Sequence, residues 1–240
     1  GQSNRSKAPP EQPEPRIWTF TEANPAVGAT WLPRRVPVAG ANGSAMPARP
    51  ERMKALLPLA KEYGAAFIGL TLGDEGIPRD ENERGLLAAQ IVAEAAAYDI
   101  PEDRIWLDPI VLPINTQQIQ IQGCTGFVMM LGELFPNCKS TCGLSNVSNG
   151  VPTGLRGILN RTYLIMLKRY GIHSAIVDAF DAELRAIARD GRPGLEALVH
   201  NVMDGEPVDM SALSEEEAGY AKTARILLGQ SLYSDSWLSI

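Results

Sequence analysis

Two short stretches of the chain combine residue types that could do chemistry together. In WLDPIVLP (106–113) a carboxylate, Asp108, sits within a strongly apolar run and is followed at once by a proline. A carboxylate fixed in a semi-buried pocket can accept two parallel N–H bonds from a planar heterocycle. The same residue also fits as a strand-end aspartate that satisfies a turn. In GLSNVSNG (143–150) an apolar run passes into small uncharged polar residues, where the amides of Asn146 and Asn149 could lie over a ligand. An amide donates a hydrogen bond without bringing a charge, which suits a site whose nucleophile must stay unprotonated. A plain Ser/Asn turn is the alternative for this segment.

Such residues need elements to aim them. Apolar, β-rich runs at 16–21, 36–41, 65–72, 104–112, 140–147 and 174–179 alternate with helix-period segments at 48–63, 80–98, 124–135 and 154–170. Strand–helix alternation predicts parallel pairing, and continuous apolar strands predict a sheet covered on both faces. A doubly wound sheet or a barrel satisfies both. Asn42, Thr71, Asp108, Asn146 and Asp178 each fall near the C-terminal end of a run, where a barrel collects its active-site groups, and this favours the barrel. No strand-to-helix turn matches G-x-G-x-x-G or a P-loop. Residues 182–240 read as helix, a polar excursion and a last helix over about 214–232, with Ser211 or Ser214 as its N-cap.

The bulk properties narrow the partners. A chain of 240 residues with 45% hydrophobic content can bury one sizeable core. Its net charge of −6 comes without a cationic stripe, which argues against nucleic acid. No apolar run is long enough to span a bilayer, and GQSNRSKAPPEQPEP lacks a signal's hydrophobic centre, so the expected location is cytoplasmic. Cys124, Cys138 and Cys142 are expected to be buried free thiols, because no further ligand accompanies the C-x3-C pair. His173 and His200 have no triad-like neighbours and are expected to be structural or superficial.

With these pieces in order, IGLTLGDEGIP (68–78), WLDPIVLP, GLSNVSNG, LNRTYLIML (159–167), AIVDAFD (175–181) and LLGQSLYSDSW (227–237), the chain resembles the methyltetrahydrofolate:corrinoid/iron–sulfur protein methyltransferases of the pterin-binding domain family. The resemblance covers roughly residues 38–240, with 190–216 looking like an insertion. It implies transfer of the N5-methyl group of 5-methyltetrahydrofolate to cobalt(I) of a corrinoid carried by a partner protein, with no metal held by the transferase itself. It makes Asp108 the pterin-binding aspartate and Asn146 the asparagine that hydrogen-bonds N5. Asn42, Asn149 and Arg156 follow as further substrate contacts. A donor aimed at charge developing on the leaving nitrogen is typically worth about 2.7–4 kcal/mol. A homodimer is also expected, since the small side chains of the Ala-rich stretch 86–97 permit close helix packing.

The implied fold is a TIM-type (β/α)8 barrel apparently lacking its first two strand–helix units, with residues 1–15 as a tail or linker and 16–240 as the barrel domain. Thr21 or Glu22 stands where relatives end their third strand with an aspartate. An unclosed barrel exposes strand edges, so the second expectation is a non-catalytic pterin-binding or docking subunit of a larger methyl-transfer complex. Dihydropteroate synthase, a related pterin enzyme, ranks below both because its basic strand-end motifs are missing.

Overall fold

The computed structural model describes residues 46–239. The expected tail 1–15, the runs 16–21 and 36–41, and Thr21, Glu22 and Asn42 lie outside the described residues. Four parallel strands form one sheet in chain order: β1 (Met46–Pro47), β2 (Phe67–Leu70), β3 (Ile105–Asp108) and β4 (Lys139–Ser140). Helices α1 (Pro50–Glu62), α2 (Glu81–Ala97) and α3 (Ile114–Leu134) connect them. Beyond β4, residues 174–176 run parallel to 140–144: Ser174 N–H donates to Ser140 O and Ile176 N–H to Cys142 O. The strand order does not reverse, as it would in a doubly wound sheet. This α/β arrangement is compatible with part of a TIM-type fold, and the described strands do not close into a barrel.

The alternation of side chains along the strands separates two faces. Ile105 and Leu107 of β3 point into a core shared with Met53 and Leu57 of α1, Ala88, Ile91 and Ala95 of α2, and Phe127 and Leu131 of α3. All three helices therefore cover the same face. Full burial of each large aliphatic side chain here contributes about 1.5–3 kcal/mol. Gly69 of β2 allows the close approach of α2, since a Cβ there would lie 3.0 Å from the Ile91 side chain. Trp106 and Asp108 point to the opposite face, level with Ile68 and Leu70.

Helix ends follow local chemistry. Asp80 caps α2 by accepting from Glu83 N–H, and Arg79 pairs with Glu83 one turn on. Helices α4 (Thr153–Arg169), α5 (Ala182–Ala188), α6 (Pro193–Met203) and α7 (Glu215–Leu227) build a second core around Leu159, Tyr163, Ile165, Val199 and Ala224. Ser214 and Glu217 form the capping box that starts α7. In the expected insertion, α6 buries Leu195, Val199 and Val202. Its Glu196 receives Lys168 Nζ of α4 at 3.0 Å.

Several boundaries differ from those read in the sequence: the run 104–112 is strand only to Asp108, the run 174–179 joins its neighbour at a single bridge, and the last helix ends at Leu227 rather than about 232. Helix α3 begins at Ile114 rather than 124, across a kink at Gln117, because Gln118 and Gln122 find backbone partners in the C-terminal segment. Gln118 Nε2 donates to Ile226 O and Ser231 O, and its Oε1 accepts from Tyr233 N–H. The run 140–147 is strand only to Ser140. Its Gly, Ser and Asn residues then form a 3-10 turn over Leu144–Ser148.

Candidate functional site

Because the strands are parallel, their C-terminal ends and the loops that follow lie on one side of the sheet. Asp108 ends β3 there, and the carbonyls of residues 108–110 each have a partner. Its carbonyl accepts from Thr71 N–H at 3.0 Å and Thr71 Oγ1 at 3.1 Å. Its carboxylate Oδ1 accepts from Ile110 N–H at 2.8 Å, closing a tight turn through Pro109. Pro109 O accepts from Arg84 Nε at 2.9 Å, and Ile110 O faces the Cys124 thiol at 3.3 Å. Asp108 thus does satisfy a turn, with one oxygen. The other has no hydrogen-bond partner among the described residues.

Two physical quantities mark this turn. Ile110 has φ +60°, a left-handed conformation that costs a residue with a Cβ about 1–2 kcal/mol. A β-branched residue persists there only where its surroundings dictate it. Asp108 is half-buried, and burial pushes its carboxyl up to about 6, against a smaller opposing effect of the Ile110 N–H. No charged side chain forms an ion pair with it among the described residues to offset that burial. Burial drives the Cys124 thiol up to about 11 and also raises Cys142 and Tyr163, so the groups beneath Asp108 stay neutral.

The loop after β4 is of a different kind. Asn146 and Asn149 are exposed, and neither side-chain amide has a hydrogen-bond partner among the described residues. Only their backbones are tied, Asn146 N–H to Gly143 O at 3.2 Å and Asn149 N–H to Asn146 O at 3.1 Å. The Asn146 amide folds back over Gly143, where a Cβ would approach its Nδ2 to 3.1 Å. The two loops meet: at Gly150, with φ +76°, a Cβ would lie 2.9 Å from the amide nitrogen of Asn115 at the start of α3. Arg156, in the first turns of α4, donates from Nε to Ser148 Oγ at 3.2 Å and makes no ion pair among the described residues. Asp178 is exposed at the end of the next strand segment, its Oδ1 accepting from Phe180 N–H.

The histidines stand apart from this constellation. His173 Nδ1 accepts from Ser140 N–H at 3.1 Å, linking neighbouring strand segments. His200 belongs to α6, where burial lowers its pKa. The three cysteines are free and buried. Among the described residues no group of three or more His, Cys, Asp or Glu side chains could hold a metal ion, and no helix is long and apolar enough to cross a membrane.

Arg84 is the feature that reading the motifs missed. It is fully buried, and the signal was in its spacing: Arg84, Ala88, Ile91 and Ala95 form one buried stripe on α2, so an arginine stands where an apolar residue belongs.

No protein-family model matches the chain. It is 27% identical over 129 residues to the methylcorrinoid:tetrahydrofolate methyltransferase of Eubacterium limosum, covering 53% of this chain and 47% of that protein. It is 28% identical over 133 residues to methionine synthase of Mycobacterium tuberculosis, covering 53% of this chain and 11% of the synthase. Methionine synthase of Mycobacterium leprae is 27% identical over 128 residues, 51% of this chain and 11% of that one. The chain therefore spans about half the length of the first relative and a small part of the synthases. These likenesses support a relationship to the folate–corrinoid methyltransferases as a family, and to no particular member.

Proposed function

We propose that this chain binds a reduced folate and moves its N5-methyl group to or from a corrinoid carried by a partner protein. One observation carries the reading: a locked carboxylate with a free oxygen and two unpartnered, uncharged amides lie on adjoining loops at the C-terminal ends of neighbouring strands. Asp108 accepts from the N–H groups of the pterin edge and holds the ring. Asn146 donates to N5, which would otherwise leave as an anion. Asn149 and Arg156 line the same rim, and Asn42 completes the set in this reading. A docked corrinoid would supply the nucleophile for transfer from the folate, and in the reverse direction it would supply the methyl group while N5 is the nucleophile. The relative from Eubacterium limosum is named for transfer from methylcorrinoid to tetrahydrofolate. A donor that stabilises developing charge on N5 lowers the barrier equally in both directions, so these residues catalyse the exchange without fixing its direction.

The test is calorimetry of the full chain with 5-methyltetrahydrofolate, alongside optical detection of cobalt(I) loss from a reduced corrinoid. Folate binding with turnover is expected. A folded chain with neither would end the proposal. The alternative is a pterin-binding or docking subunit without turnover. Binding without turnover beside a competent corrinoid protein would select it.

A further inference from the structure

Arg84 is buried to 0% exposure yet forms no ion pair among the described residues. A guanidinium presents donors in a fixed planar fork, and here three separate acceptors take them. Nε donates to Pro109 O at 2.9 Å, Nη1 to Asp80 O at 3.0 Å and Nη2 to Gln120 Oε1 at 2.9 Å. Gln120 in turn donates to Arg79 O at 3.1 Å. The arginine thereby joins three places: the capping residue of α2, the turn that follows β3, and the first turns of α3. Gly123 leaves room for it, since a Cβ there would lie 2.8 Å from Nη1. Burying a charge with only neutral acceptors is costly, and a leucine would fill the same stripe at lower cost. What the arginine adds is a grip on the carbonyl of Pro109, between Asp108 and the left-handed Ile110.

We propose that Arg84 is a positioning residue for the folate site: by holding the Pro109 carbonyl it keeps the Asp108–Ile110 turn in the shape that spends one carboxylate oxygen on Ile110 N–H and presents the other to the ligand. This rests on the pterin-binding reading of Asp108. Without the grip, Ile110 relaxes out of its left-handed conformation, its N–H leaves Oδ1, and the carboxylate loses both its orientation and its one favourable hydrogen bond.

The experiment uses the full chain with Arg84→Met, Arg84→Lys and Gly123→Ala, the last displacing the guanidinium while keeping its charge. Folding is checked by circular dichroism. The Asp108 carboxyl carbon is titrated by NMR, and affinity for 5-methyltetrahydrofolate is measured by calorimetry. In all three variants the Asp108 midpoint is expected to rise by about half a unit, and folate affinity to fall about tenfold. Arg84→Lys separates geometry from charge, because a lysine keeps the charge and loses the fork. A shift in Arg84→Met alone would overturn the proposal, as would folded variants with Asp108 titration and affinity unchanged. If both Arg84 variants fail to fold, Gly123→Ala decides on the same two readouts. If wild type binds no folate but the Asp108 midpoint still moves in the variants, the ligand assignment fails and the positioning role stands.

Discussion

The loops after β3 and β4 treat their polar groups in opposite ways. Around Asp108, the backbone carbonyls and the turn N–H are committed to Thr71, Arg84, Cys124 and Asp108 itself. Around Asn146 and Asn149, the backbone is satisfied and the side-chain amides are left to solvent. The first loop is rigid by over-determination. The second offers donors whose exchange of water for ligand costs little. A site that must hold a ring and then respond to charge appearing on one of its atoms needs one loop of each kind.

The largest expected effect tests the open loop. Asn146→Ala should slow turnover about a hundred- to thousandfold while changing folate affinity only slightly. Equal losses in both would put Asn146 among the ring-holding groups and collapse the distinction. Asp108→Asn should act the other way, weakening folate binding roughly tenfold or more through loss of a charge-assisted hydrogen bond. In wild type, affinity should fall as the pH drops through about 6, where the carboxylate becomes protonated.

The same substitution carries a stability signature. The Asp108 carboxyl is raised from 3.8 to about 6 by burial, so the fold favours its neutral form. Its contribution to stability is present below pH 3.8 and is lost as pH rises toward 6. Asp108→Asn should therefore melt at a higher temperature than wild type at pH 7.5, with the gap narrowing toward pH 4. A variant less stable at both values would contradict the burial argument.

Smaller effects sharpen the contrast. Gly143→Ala places a methyl 3.1 Å from the Asn146 amide, and should lower turnover severalfold with folate affinity largely kept. As a remote control, Ser214→Ala removes the capping box of α7. It should cost about 1 kcal/mol in urea unfolding and leave folate affinity unaltered.

How much of this was legible in the sequence depends on which interactions are local. The stripe of α2 could be read, because side-chain period reports directly on burial, whereas the strands read as continuous apolar runs that do not tell one face from the other. The end of β3 at Asp108 could not be placed. The apolar run continues through Val111, and nothing in Pro-Ile-Val announces a left-handed isoleucine. The start of α3 was hidden because QQIQIQ looks solvated until carbonyls from residues 226–231 arrive to receive its amides. Strand β1 is only two residues long and exists through its pairing with β2. For the site, Asp108 was visible as a carboxylate inside an apolar run and Asn146 as an amide where a run passes into small polar residues. Arg84 was visible only as a misfit in a stripe.

The row of glutamines on α3 also bears on how the molecule is assembled. Gln120 braces Arg84, while Gln118 fastens to carbonyls at Ile226 and Ser231, 108 and 113 positions further along the chain. Contacts of such sequence separation form late, because the loop between them must first be closed. During synthesis the Asp108 turn is complete long before its supporting helix is fastened. Residues that emerge more than a hundred positions later clamp the base of a loop laid down before them.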